Sequence, residues 1–289
     1  MYFSAKRTES YVQSVLELLE SDMSPLMAGY NDACGMDVFV VPDHVTLANA
    51  VRQVNDSAIP EYVWIGAQDC YSEDAGSFTG EVSPAVLAEV GCKIVEVGHA
   101  ERRRLFGETD RDVAAKAAAV LRNGMVPLVC VGEVSRPLGT NSSEDVEVAA
   151  AEVMGQVEVV LDALTPPLSS SNTTNKPVDV VLAYEPVWAI GAKEPAPVEH
   201  VRGVVRLIRR SEAVKRWEGR GDGWTVRIVY GGSAGPGLWE KLQGVVKKEG
   251  GDEDEEEEAD DAAVDGLFLG RFAHDPEQFF KTLYEVSGA

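Results

Sequence analysis

Short apolar, β-branched runs alternate along this chain with stretches whose apolar positions recur every three to four residues. The runs at 37–41, 62–66, 93–97, 126–131, 178–183, 226–230 and 266–269 are predicted strands. Between them lie amphipathic helical patterns. At 9–20, Tyr11, Val15 and Leu19 form one stripe with Val12 and Leu16 beside it. At 110–123, Val113, Ala117 and Leu121 share a face and Gly124 supplies a stop. A last helix at 276–286 opens on Asp275 and Pro276, an N-terminal signal. Strand and helix in regular alternation predict a parallel α/β fold. The pattern yields seven strands and eight helices, one strand short of an eightfold barrel.

Two stretches do not fit this rhythm. The segment 164–177 is rich in Ser, Thr, Asn and Pro and reads as a flexible insertion. The second insertion, at about 247–263, contains nine acidic residues in the ten positions 252–261. Like charges this dense repel one another, which predicts a solvated, disordered run. Each insertion follows a helix and precedes a strand, so in a barrel both belong to the face opposite the active-site loops. Neither marks a domain boundary, and 1–289 reads as a single domain.

Composition narrows the function classes. The net charge is −22, of which the acidic run carries nine, leaving −13 elsewhere. Phosphate-backbone binding needs clustered Lys and Arg, so a nucleic-acid partner is not expected. No apolar stretch approaches the ~20 residues needed to span a bilayer, and no membrane partner or signal peptide is expected. Cys34, Cys70, Cys92 and Cys130 are scattered without a CxxC pair or histidines at metal-ligand spacing. That pattern predicts reduced thiols in a cytoplasmic protein and no metal site.

Polar residues concentrate after four of the strands. His99 follows the run 93–97 and precedes a predicted short helix, whose N-terminal dipole would act on it. Taken alone it is either a catalytic imidazole or a cap. Glu185 leaves an apolar strand and enters a loop of Pro186, Trp188 and Gly191, as a candidate base beneath a mobile cover or as a salt-bridged rim carboxylate. Gly231-Gly232-Ser233 and Gly270-Arg271 follow the last two strands, where barrels bind phosphate through backbone N–H groups.

The segments VEVGHAERRRLFGETD, AYEPVWAIG, IVYGGS, GAQDCYSEDAGSFTGEVSP and VCVGE resemble those of triosephosphate isomerase, in that family's order and at nearly its spacing. The resemblance implies a TIM (β/α)8 barrel lacking its first β-strand. It also implies an aldose–ketose isomerase acting on triose phosphates, as in glycolysis and gluconeogenesis. Glu185 would be the catalytic base, and His99 the neutral imidazole that polarises the carbonyl. The lid would run from Pro186 to Ala196 with Trp188 as hinge anchor. Gly191, Ser233, Gly270 and Arg271 would hold the phosphate. Thr79, in a loop that crosses to a second subunit, implies a homodimer. No cofactor is needed for proton transfer between an acid/base pair.

Several features depart from that pattern. Met1-Tyr2-Phe3 matches the residues just after the family's Asn-x-Lys, so the lysine that Glu101 would pair with is not in the chain. Lys6 would lie at the start of the first helix. The expectation is that Met1 is an internal methionine taken as the start, and that the chain from Met1 is weakly stable and nearly inactive. Ala100, the lid sequence 191–196 and Arg271 also differ from the usual residues. LFLGRFAHDP and GSAGPG are similar to a branch of the family that isomerises erythrulose phosphate. The readings are therefore a triose phosphate isomerase, an erythrulose phosphate isomerase, or a non-catalytic barrel.

Overall fold

The computed structural model describes residues 2–21, 36–135, 143–165, 178–192, 195–221, 223–244 and 261–287. In chain order they form α1 (Ala5–Ser21), β1 (Val38–Val40), α2 (His44–Asn55), β2 (Val63–Ala67), α3 (Pro84–Val90) and β3 (Ile94–Val97). Next come α4 (Ala100–Phe106), α5 (Asp110–Arg122), β4 (Val126–Val131), α6 (Ser143–Ala163) and β5 (Val178–Tyr184). The last are α7 (Val198–Arg209), α8 (Glu212–Glu218), β6 (Trp224–Tyr230), α9 (Trp239–Gln243), β7 (Gly266–Leu267) and α10 (Pro276–Ser287). All seven strands are parallel and pair in sequence order. This is the α/β barrel architecture expected, with seven strands among the described residues, one fewer than eight.

The strands fall where the apolar runs predict. The helices number ten among the described residues, not eight. Capping explains the excess. Gly107, with φ +73°, ends α4, and Thr109 with Asp112 forms a capping box that restarts the chain as α5. Ser211 likewise caps α8 directly after α7. Most of the two insertion segments, 166–177 and 247–260, and Cys34 lie outside the described residues. Cys70, Cys92 and Cys130 are buried free thiols.

Strand alternation divides the core in two. Outward residues such as Val95, Val97, Val129, Val131, Val180 and Leu182 pack against the helices. Inward residues Ile94, Leu128, Cys130, Val181, Ala183 and Val229 fill the barrel, with Phe39, Trp64 and Phe268 beside them. The sheet curls far enough that its ends meet through side chains. Phe39, on β1, stacks on Phe268, just beyond β7, with ring centroids 6.0 Å apart. Arg227 on β6 reaches Asp37, ahead of β1, at 2.5 Å and Asp179 on β5 at 3.1 Å. The helical layer passes over this junction: α1 packs on both α2 and α10. Yet β1 and β7 are not hydrogen-bonded to each other and stand as the edges of the sheet.

Candidate active site

The C-terminal ends of the parallel strands gather the polar residues that the sequence singles out. His99 is the N-cap of α4, and its Nδ1 accepts the backbone N–H of Glu101 at 3.2 Å. An accepting Nδ1 carries no proton, so the neutral ring bears its proton on Nε2. Burial lowers the His99 pKa, against a smaller upward pull from Glu101. Its Nε2 lies 3.8 Å from Glu185 Oε2.

Glu185 follows β5 directly and is 6 % exposed. Its backbone N–H donates to Val131 O at 2.8 Å, which fixes the residue against the end of β4. Gly231, at the end of β6, leaves room for the carboxylate, since a Cβ there would fall on Glu185 Oε1 and Cγ. Burial pushes the Glu185 carboxyl up to about 7, the hydrogen bond from Cys130 pulls it down, and Glu101 adds to the rise. Glu185 Oε2 is buried without a hydrogen-bond partner. An unpaired carboxylate oxygen facing a neutral imidazole can take a proton from a bound molecule while the imidazole N–H holds an oxygen of it.

The segment after Glu185 is held by residues of other strands. Trp188 Nε1 donates to Glu133 Oε1 at 2.8 Å. The Glu133 carboxylate, buried at the end of β4, also receives His200 Nε2 at 2.9 Å and Tyr184 Oη at 3.2 Å. Ser233 donates its hydroxyl to Ala189 O at 2.9 Å, and Ala196 N–H donates to Tyr230 Oη at 3.1 Å. Ser233 has φ +50°, the single non-glycine residue with positive φ among those described. That conformation costs roughly 1–3 kcal/mol and goes with the hydroxyl turned towards Ala189 in the segment after Glu185. Lys193 and Glu194 lie outside the described residues.

Gly191 and Gly270 are exposed at the rim, and Arg271 opens the short 3-10 helix Arg271–His274. The Arg271 guanidinium lies beside Gly191, with Nη2 3.4 Å from where a Cβ on that glycine would sit. Rings of Tyr2 and Phe3 lie 5.2 and 5.0 Å from that of His274, which brings the start of α1 to the same rim. Lys6 is exposed in the first turn of α1. Glu101 is exposed on α4, where its backbone N–H serves His99. Thr79 is exposed near the tip of the loop between β2 and α3, apart from the His99–Glu185 pair. That loop is closed at its base by Tyr71 N–H to Val82 O at 2.8 Å. Its start is tied to α4 and α5, because Asp69 pairs with Lys116 and Arg102, both at 2.8 Å.

Sequence reasoning missed two groups. Glu133 was visible only as part of a resembling segment, and nothing local shows that it collects three donors from residues 51 to 67 positions away. Glu96 sits mid-strand on β3, where its inward direction places a carboxyl in the barrel beside Cys130 and Glu185. A lone acid inside an apolar run, VEV, was the signal available.

A family model described as triosephosphate isomerase matches residues 1–286. The L-erythrulose-1-phosphate isomerase of Pectobacterium atrosepticum is 39 % identical over 279 residues, covering 96 % of this chain and 90 % of that protein. The L-erythrulose-1-phosphate isomerase of Mesorhizobium japonicum is 33 % identical over 269 residues, covering 93 % of this chain and 91 % of that protein. The triosephosphate isomerase of Lactobacillus acidophilus is 41 % identical over 215 residues, covering 74 % of this chain and 73 % of that protein. The family match over nearly the whole chain agrees with the parallel barrel, and the chain belongs to the triosephosphate isomerase family.

Proposed function

We propose that this chain is a sugar-phosphate isomerase that moves a carbonyl by one carbon through an enediolate. The observation that carries the reading is the unpartnered, buried Glu185 Oε2, 3.8 Å from the protonated Nε2 of a neutral His99. Glu185 takes the proton from the hydroxyl-bearing carbon beside the carbonyl, and His99 Nε2–H stabilises the oxygen that becomes negative. Returning the proton to the neighbouring carbon completes the shift. A neutral histidine at a helix N-terminus is the known arrangement in triosephosphate isomerase itself. With a carboxyl pKa of about 7, Glu185 is a strong enough base and is still substantially ionised near neutrality.

The phosphate is bound at the rim by backbone N–H groups of Gly191, Ser233 and Gly270, with Arg271 adding a charged contact. Closure of 186–196, anchored by Trp188 on Glu133 and by Ala196 on Tyr230, excludes water from the enediolate. A homodimer, with Thr79 bracing the partner's site and Glu101 supporting this one, follows from the family reading. The chemistry calls on no metal or organic cofactor, and the protein acts in the cytoplasm.

The substrate supported best is a four-carbon ketose phosphate of the erythrulose 1-phosphate type. The relatives so named match across nearly the whole chain, and Arg271 stands at the rim beside Gly191. In such a substrate C1 carries the phosphate ester, so the carbonyl at C2 can migrate only to C3. The triose reading, dihydroxyacetone phosphate to glyceraldehyde 3-phosphate, is second and is favoured by the family match and the Lactobacillus relative. Assaying both substrates side by side decides, since only the ratio of kcat/KM measures specificity. Arg271→Gly should move that ratio towards the triose phosphate. A parent enzyme with no turnover of either compound would favour the non-catalytic barrel.

A further inference from the structure

One buried acid has no place in the mechanism above. Glu96 points inward from β3 and is 8 % exposed. Around it the barrel is filled by Ile94, Leu128, Cys130, Val181, Ala183 and Val229. Burying a carboxyl among such residues is costly unless it is neutral or well partnered. Its protein partner is weak: the Cys130 thiol donates to Glu96 Oε1 at 3.7 Å. The same cysteine also adjoins Glu185, so the two carboxyls flank one thiol. An inward-facing apolar residue would fill this position at no such cost, so packing does not account for an acid here.

The protonation state suits a ligand. Burial raises the Glu96 pKa most, Glu185 at the end of β5 raises it further, and Asp69 after β2 and Glu101 on α4 add to the rise. The thiol on β4 lowers it, and the result is about 8. At neutral pH Glu96 therefore holds its proton and can both donate and accept, as recognition of an alcohol hydroxyl requires.

We propose that Glu96 is a specificity-determining residue that hydrogen-bonds the terminal hydroxymethyl group of a four-carbon ketose phosphate, selecting it over a triose phosphate. This rests on the four-carbon reading above. The phosphate end is held at the rim, so the other end of the substrate points inward past Glu185. In a triose phosphate the carbon facing Glu185 is the end of the chain. In erythrulose 1-phosphate the same carbon, C3, bears one more CH2OH, which must lie beside the base. Glu96 and Cys130 are the polar groups adjoining Glu185 on the barrel side.

The test uses the full-length chain with erythrulose 1-phosphate and dihydroxyacetone phosphate, comparing the parent with Glu96→Val and Glu96→Gln. The expected result for Glu96→Val is a fall in the four-carbon to three-carbon kcat/KM ratio on the order of tenfold or more, because a hydroxyl left without its partner is strongly disfavoured. Glu96→Gln, which keeps a donor and an acceptor, should recover part of the ratio. Thermal melts should show both variants folded, since they remove a buried acid. A parent active on erythrulose 1-phosphate whose ratio is unmoved by Glu96→Val overturns the proposal alone. Equal losses on both substrates also overturn it and make Glu96 a group that tunes Glu185. A parent that turns over dihydroxyacetone phosphate alone, or neither compound, overturns the four-carbon reading and this proposal with it.

Discussion

In the proposed mechanism two residues carry the chemistry, and the environment of each sets its role. Burial leaves Glu185 with a carboxyl pKa near 7 and keeps His99 neutral, so a base and a hydrogen-bond donor coexist 3.8 Å apart. Glu185→Gln and His99→Ala should each lower kcat by roughly 10²–10⁴-fold, the usual worth of a general acid or base. Circular dichroism on both variants separates that loss from unfolding, and a near-parental kcat would remove the residue from the mechanism. The acid limb of kcat/KM should follow Glu185, falling as pH drops below about 7 because the protonated carboxyl is no base. Cys130, Glu101 and His99 face Glu185, with Glu96 across the thiol, so the limb is a property of the cluster.

The raised carboxyls also link stability to pH. A carboxyl whose folded pKa lies above its unfolded value stabilises the fold most below the unfolded value. That contribution is lost as pH rises through the folded value. Glu96, raised from 4.5 to about 8, should therefore make the fold less stable as pH climbs across that window. Glu96→Gln should flatten the dependence, as read from chemical denaturation at pH 5 to about 8. A parental slope in the variant would show that Glu96 does not titrate there.

At the scale of elements, the proposed lid is the part most dependent on partners distant in sequence. Trp188 is held by Glu133 from β4, and Ala196 by Tyr230 from β6. Tyr230→Phe removes one hydrogen bond, worth about 1 kcal/mol, from the second half of the lid. The expected outcome is a several-fold loss in kcat/KM with little change in melting temperature; an unchanged rate would show that this contact does not govern closure. Such contacts mark the limit of what the sequence reveals. Strand positions were legible because β-branched runs are short and regularly spaced, and the boundaries moved by at most two residues at either end. His99 and Glu185 were legible because they sit just after two strands. Glu133 and Glu96 were not, because their significance lies in what other strands bring beside them. The short helix after His99 and the helix at 110–123 were legible as separate elements, whereas the break between α7 and α8 rests on the local cap at Ser211.

For the whole molecule, the barrel interior and the outer helical layer behave differently at the junction of β7 with β1. Phe39 and Phe268 meet, and α1 bridges α2 and α10, but no backbone ladder joins the two strands. Edge strands present unpaired N–H and C=O groups to other chains. Sedimentation should accordingly show association that grows as concentration rises. A mass that stays fixed over that range would mean that these edges are covered.

The central claim is a proton transfer at carbon by Glu185. It is tested most directly by incubating the protein with erythrulose 1-phosphate and with dihydroxyacetone phosphate in D2O and following deuterium by NMR. The account predicts deuterium on the carbon that exchanges its proton during isomerisation of at least the four-carbon compound, and its near-complete suppression in Glu185→Gln. Isomerisation without solvent deuterium entering that carbon, or equal incorporation by Glu185→Gln, would contradict it.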